Sequence, residues 1–100
     1  MTINFSKSSK NYLADIKVYI SKDSPQRASS HISNLINRIK ELLAYPKIGK
    51  INKIYNDENI REIFIEGYKI IYKINAHSIL ILMIYKNIDY NEKEINISEE

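Results

Sequence analysis

The chain has no cysteine and no tryptophan, and only two glycines and two prolines in 100 residues. Without cysteine there is no disulfide, no thiol nucleophile and no thiolate-bound zinc. His31 and His77 are the only imidazoles, too few for a convincing metal site, so neither a metal nor a cofactor is expected. Scarce glycine and proline argue against a disordered or collagen-like chain. Long apolar runs are missing too. The longest, Ile79 to Tyr85, has seven residues, far short of the roughly 18 that span a membrane. The N-terminus, MTINFSKSSK, lacks the apolar core of a secretory leader. A cytoplasmic protein with no membrane partner is expected.

The residues present suit one small core. A length of 100 residues and a hydrophobic fraction of 44% fit a single globular domain. The net charge of +3 is unevenly spread. Residues 89 to 100 hold Asp89, Glu92, Glu94, Glu99 and Glu100 against Lys93, a balance of −4, which leaves +7 on residues 1 to 88. A basic body suits an anionic partner, nucleic acid or an acidic protein surface; it equally suits a solvated lysine-rich surface.

Along the chain, Thr2 to Phe5 reads as a short strand. Tyr12, Leu13, Ile16, Tyr19 and Ile20 form a helical stripe, with Ser8 or Ser9 as the cap. In KDSPQRA, Ser24 is a good N-cap and Pro25 fits the first helical position. Helical spacing then runs from Ala28 to Ala44 and stops at Pro46 and Gly49. The short break predicts an antiparallel helix pair. An irregular strand is expected near Ile51 to Tyr55, and a turn at Asn56 to Asn59. In REIFIEGYKIIYKI a two-residue turn at Glu66-Gly67 pairs Ile65 with Tyr68, Ile63 with Ile70 and Arg61 with Tyr72. Asn75 to Ser78 is the next turn. Ile79 to Tyr85 suits a central strand with both faces covered.

The hairpin has two faces. One carries Arg61, Ile63, Ile65, Tyr68, Ile70, Tyr72 and Ile74 and is the expected core under the helices. The other carries Ile60, Glu62, Phe64, Lys69, Ile71 and Lys73 and is expected to stay half open. The fold class is α+β: two antiparallel N-terminal helices packed on one face of a small, mainly antiparallel twisted sheet. One domain at residues 1 to 90 is expected, with an acidic tail at 91 to 100. Ile95 and Ile97 alternate there as in a short strand.

Four pieces in order resemble the RelE/ParE superfamily of bacterial toxins. They are NYLADIKVYI with KDSPQRA, RIKELLAYPKIGK with its Leu-x-x-x-Pro-x-x-Gly exit, IREIFIEGYKIIYKI, and ILILMIYK. The resemblance covers residues 2 to about 90. It implies the toxin half of a type II toxin–antitoxin module and a cognate antitoxin that wraps and neutralises it. It also implies one of two activities. RelE-like members cut mRNA on the ribosome; ParE-like members poison DNA gyrase without known nuclease chemistry.

Metal-free RNA cleavage needs a base, donors for the phosphate and an acid for the leaving oxygen. Aligned on Gly67-Tyr68, Ile60 and Glu62 stand where the family's first hairpin strand is basic. Lys69 stands in place of its hairpin arginine, keeping charge without the fork. Tyr85 and Ile88 stand where members carry His and Arg. A ParE-like, gyrase-binding toxin is therefore the leading expectation. The rivals are a ribosome-dependent nuclease using Lys69, Lys73, Tyr85 and Lys86, and a non-toxic antitoxin-binding relic. Target contacts are expected from Arg61, Lys69, Lys73, Tyr85 and Lys86, and antitoxin contacts from Phe64 and Ile71. For Arg61 the competing reading is an ion pair with Asp15 or Asp57. For Lys69 and Lys73 it is plain solvation, with both expected to be exposed. His31 and His77 are read as surface residues.

Overall fold

The computed structural model describes residues 1–86. The acidic tail and the Ile95–Ile97 strand expected from sequence lie outside the described residues, as does Ile88. The elements are β1 (Thr2–Phe5), α1 (Lys7–Ser21), α2 (Pro25–Lys40), two 3-10 turns at Glu41–Leu43 and Pro46–Ile48, β2 (Lys50–Ile51), β3 (Ile60–Ile65), β4 (Tyr68–Ile74) and β5 (Ser78–Lys86).

The five strands form one sheet in the order β1-β5-β4-β3-β2. Only β1 runs parallel to its neighbour, β5; the other pairs are antiparallel. The parallel pair follows from topology, since the helical hairpin is the crossover that returns the chain to the sheet. Leu13, Leu35, Ile39 and Leu42 from the helical segment meet Ile65, Tyr68, Ile70, Tyr72, Ile79, Ile81 and Ile84 from the strands in one core. The α+β expectation therefore holds, with the helices on the predicted face.

The helix ends follow local chemistry. Ser24 caps α2, its hydroxyl accepting the Arg27 N–H at 3.1 Å, and Pro25 opens the helix. The cap of α1 is Ser6, not Ser8 or Ser9. Its hydroxyl oxygen accepts the Ser9 N–H at 3.1 Å, and its O–H donates to the Leu82 carbonyl at 2.8 Å. The helical stripe of α1 is narrower than its spacing suggests: Tyr19 is 73% exposed. β2 is only two residues long, and residues 52 to 59 connect it to β3 without a strand.

The hairpin register matches the sequence pairing residue for residue. Glu66 has φ +53° and Gly67 φ +83°, the two left-handed positions that a two-residue turn of this twist requires. β5 departs from regularity. Ile71 faces Met83 but Tyr72 faces Ile81, so Leu82 is the extra residue of a bulge. Ser6 and buried Ser9 reach this bulge: the Ser9 hydroxyl donates to the Ile81 carbonyl at 3.1 Å. The bulge turns Leu82 toward the far face of the sheet, where it joins Ile60, Ile71 and Tyr85 in a second buried cluster. Tyr55, from the 52–59 connection, packs there with Leu80 and Met83. The face expected to be half open is thus apolar and closed over its centre.

Candidate functional site

The predicted site residues start from this far face. Lys69 stands directly opposite Phe64 and diagonally across from Glu62. It turns toward the acid: its Nζ lies 2.7 Å from Glu62 Oε2, with both side chains under a tenth exposed. The other carboxylate oxygen accepts from the Asn52 side-chain amide at 3.3 Å. Asn52 is fully buried, and its own oxygen holds the Ile54 N–H at 2.9 Å. Lys69 is therefore not the exposed cation expected from alternation. Desolvating an ammonium is tolerable only beside a carboxylate, and Glu62 provides one. The signal was present in the sequence. Glu62 lies on the same face as Lys69 and Lys73, two places from register with each.

Tyr85 is 3% exposed within the second cluster. Burial pushes its phenol up to about 12, helped by the Glu62 carboxylate and then by Tyr55. A phenol so placed holds its proton far above neutrality, a poor match for acid–base work at pH 7. Ile71, expected to contact an antitoxin, is 1% exposed and packs against Ile60, Leu82 and Tyr85. Phe64, expected to share that role, is 53% exposed.

Lys73 and Lys86 are accessible, and they lie far apart. Lys73 sits opposite Leu80 at one end of β4, half-buried. Lys86 sits opposite Tyr68 at the other end, on the helix-covered face, its Nζ 5.8 Å from the Tyr68 ring centroid. Five residues of strand separate the two positions, about 17 Å. Lys69, Lys73, Tyr85 and Lys86 therefore do not converge on one point where a phosphate and its 2′-hydroxyl could sit. Among the described residues, no group of three or more His, Asp or Glu side chains is placed to hold a metal ion.

Arg61 makes no ion pair with Asp15 or Asp57. Its guanidinium donates to three carbonyls: Glu58 at 3.2 Å, Lys47 at 3.3 Å and Gly49 at 3.0 Å. Its cross-strand partner Tyr72 reaches the same segment. The Tyr72 hydroxyl donates to the Pro46 carbonyl at 2.7 Å and accepts the Gly49 N–H at 2.9 Å. Burial raises the Tyr72 phenol, opposed by the Gly49 hydrogen bond and the Arg61 charge. A Cβ at Gly49 would meet that hydroxyl at 2.6 Å and the Glu62 carbonyl at 2.7 Å, so only glycine fits.

This clamp displays two side chains that the sequence reading did not single out. Tyr45 is 70% and Ile48 62% exposed. Beside them a groove of about 370 Å³ runs between the Glu41–Ile48 segment and the outer edge of β3 at Ile63, Phe64 and Ile65. Their only sequence signal is negative. Both fall outside the helical and alternating patterns, in a segment that Pro46 and Gly49 mark as irregular.

His31 is not a free surface residue. Its Nε2 lies 2.8 Å from the Tyr68 hydroxyl, and burial raises that phenol. Tyr68 stacks edge-on with Tyr12 at 6.3 Å, and the Tyr12 hydroxyl accepts the Lys86 N–H at 2.9 Å. This aromatic knot ties the helical hairpin to the end of β5. Helical spacing alone did not reveal it, because the contact is set by how the helices pack on the sheet. His77 is exposed, as expected.

Comparison with known proteins agrees with this architecture. A search of curated protein sequences gives no match. A solved structure described as "Chromosomal ParDE TA system from P. aeruginosa" superposes with a TM-score of 0.69 at 17% identity, over 86% of this chain and 95% of that one. At that identity the likeness speaks for the fold. The family model "ParE toxin of type II toxin-antitoxin system, parDE" matches residues 3–87. The two helices, the sheet they cover and the sequence from Ile3 onward thus lead to one family: the chain belongs to the ParE toxins of type II toxin–antitoxin systems.

Proposed function

We propose that this ParE-type toxin acts in the cytoplasm by binding and inhibiting DNA gyrase rather than by cutting RNA, and that a cognate antitoxin neutralises it. The observation that carries the reading is the Glu62–Lys69 pair, whose contact measures 2.7 Å. It occupies the one cation that sits where RelE-like toxins have their hairpin arginine. With Tyr85 buried beside it, the described residues of the sheet bring no base, acid and phosphate donor to one place. Lys73 and Lys86 remain accessible for target contact, and Phe64 with its neighbours on the outer edge remains accessible for the antitoxin. Lys69 and Tyr85, both buried, and half-buried Arg61 hold the sheet and its loops in shape.

Pulse-labelling after induction in a bacterial host tests this reading. Thymidine and methionine incorporation are followed side by side. Thymidine incorporation stopping first supports a target in DNA topology. Methionine incorporation stopping first, with new mRNA ends by primer extension, overturns it in favour of translation.

A further inference from the structure

At the end of the sheet away from β2, the edge strand is β1. Its hydrogen bonds fix the direction of its main chain. The Thr2 N–H donates to the His77 carbonyl at 3.2 Å, and the Ser6 N–H donates to the Ile81 carbonyl at 2.9 Å. Along a strand the main-chain groups point to alternate sides, residue by residue. Thr2, Asn4 and Ser6 therefore address β5, and the N–H and C=O of Ile3 and Phe5 point the opposite way. No strand lies on that side among the described residues. The end of β5 that projects beyond β1 is treated differently. There the Ser6 hydroxyl donates to the Leu82 carbonyl at 2.8 Å, and the Tyr12 hydroxyl accepts the Lys86 N–H at 2.9 Å. Side chains seal that stretch, whereas Ile3 and Phe5 present their backbone outward.

Native sheets shield such an edge with lysine, proline or a covering segment, and β1 itself, Thr-Ile-Asn-Phe, carries neither lysine nor proline. Ile3 and Phe5 are half-buried against the core, while Thr2 and Asn4 are exposed. A strand laid antiparallel beside them needs apolar residues two apart on the helix side and polar residues on the other. The helix α1 packs on β1 and β5 and exposes Lys7, Lys10 and Lys17 against Asp15. None of these lysines forms an ion pair among the described residues, so an acidic segment is favoured. A second copy of the chain would bring the same lysines to the same edge. The sequence Glu94-Ile95-Asn96-Ile97-Ser98 alternates as required, within a stretch, residues 89 to 100, whose balance is −4. Its reach also fits. Lys86 lies five residues past Ile81, the partner of Phe5. That is about 17 Å along the sheet, and a strand outside β1 lies about 10 Å to the side of β5, a gap of about 20 Å. Residues 87 to 93 can extend over about 23 Å.

We propose that residues 94–98 of this chain dock on the β1 edge as an added antiparallel strand. Ile95 falls opposite Phe5, Asn96 opposite Asn4, Ile97 opposite Ile3 and Ser98 opposite Thr2. In this register Ile95 and Ile97 exchange main-chain hydrogen bonds with Phe5 and Ile3, the two residues whose groups point outward, and apolar side chains meet apolar ones. The tether makes the encounter intramolecular, at an effective concentration on the order of millimolar. The acidic segment thereby closes the edge against pairing with other chains and offsets the lysines of α1.

The test follows single amides by hydrogen exchange in the 15N-labelled full chain, beside the double variant Ile95→Pro/Ile97→Pro, which lacks the two N–H groups that the added strand would donate. The Ile3 and Phe5 amides are expected to exchange at least about tenfold more slowly in the parent than in the variant, while Ile70 and Ile84 stay protected in both. Nuclear Overhauser contacts between Ile95 and Phe5 are expected in the parent at every concentration, and their absence overturns the proposal whatever the variant does. Equal exchange at Ile3 and Phe5 in parent and variant overturns it too. Protection that grows with concentration assigns the edge to a second copy, and protection that appears only when the product of the adjacent antitoxin gene is added assigns it to that partner; either result overturns docking of residues 94–98.

Discussion

Lys69 Nζ lies 2.7 Å from Glu62 Oε2, with the two side chains 8% and 7% exposed. Two strands, a diagonal cross-strand geometry and a buried asparagine combine to hold one ion pair out of water. Removing Lys69 leaves the Glu62 carboxylate buried without this cation, and removing Glu62 takes from Lys69 a carboxylate at 2.7 Å; breaking a buried pair in this way costs roughly 3–5 kcal/mol. Lys69→Met and Glu62→Leu are each expected to lower stability in chemical denaturation by about that much. The double variant is expected to recover most of the loss, because two apolar side chains of similar volume need no partner. Lys69→Glu is expected to unfold the chain, so it does not probe target binding; Lys73→Glu does, and is expected to leave the melt unchanged while reducing growth arrest.

The tyrosines give the fold an alkaline limit. The Tyr85 phenol is raised to about 12, chiefly by burial, and Tyr68 and Tyr72 are raised too. An unfolded tyrosine ionises near 10. Below that pH both states carry neutral phenols and this contribution is fully present. Between about 10 and 12 the unfolded chain loses protons that the native chain keeps, so stability falls with rising pH. The slope is up to about 1.4 kcal/mol per pH unit for each such tyrosine. Thermal melts from pH 8 to 11.5, read beside phenolate absorbance, check it. Part of the absorbance change, contributed by Tyr68, Tyr72 and Tyr85, is expected to come as a step at unfolding.

Tyr72→Phe removes one hydroxyl that serves two loop groups, the Pro46 carbonyl and the Gly49 N–H. The Gly49 N–H is buried, so the loss is expected at about 1–3 kcal/mol. Gly49→Ala forces a Cβ against the same hydroxyl and a backbone carbonyl and is expected to cost a similar amount. In both variants the amides of residues 47 to 49 are expected to exchange faster, while those of β4 and β5 keep their protection.

Glu66 occupies a left-handed position with φ +53°, which asparagine tolerates better. Its bond to Arg38 at 2.7 Å is exposed, and such pairs contribute about 1 kcal/mol at most. Glu66→Asn is expected to leave the melting temperature unchanged or raise it by a few degrees. A clear drop shows instead that the Arg38 bridge anchors the hairpin to the helices.

Much of the frame was legible because it rests on local patterns. The serine–proline start of α2, the turn at Glu66-Gly67 and the hairpin register are each set by residues adjacent in sequence. The functional surface was less legible because burial of a sheet face is a tertiary property. Alternation placed Lys69 and Ile71 on the far face correctly. It carried no information about the Leu82 bulge or about Tyr55; Leu82 and Tyr55 pack with Ile71 and Tyr85 in one cluster on that face. Arg61 was on the right face with the wrong partners. Its guanidinium found carbonyls of a loop whose path depends on Pro46 and Gly49, and no charge pattern announces such a partner.

The reading of this toxin as a gyrase binder is tested most directly by one assay: supercoiling of relaxed plasmid by purified gyrase, with the purified toxin added. Supercoiling is expected to fail at toxin concentrations comparable to those that arrest growth, and adding the antitoxin first is expected to restore it. Undiminished supercoiling at those concentrations contradicts the reading.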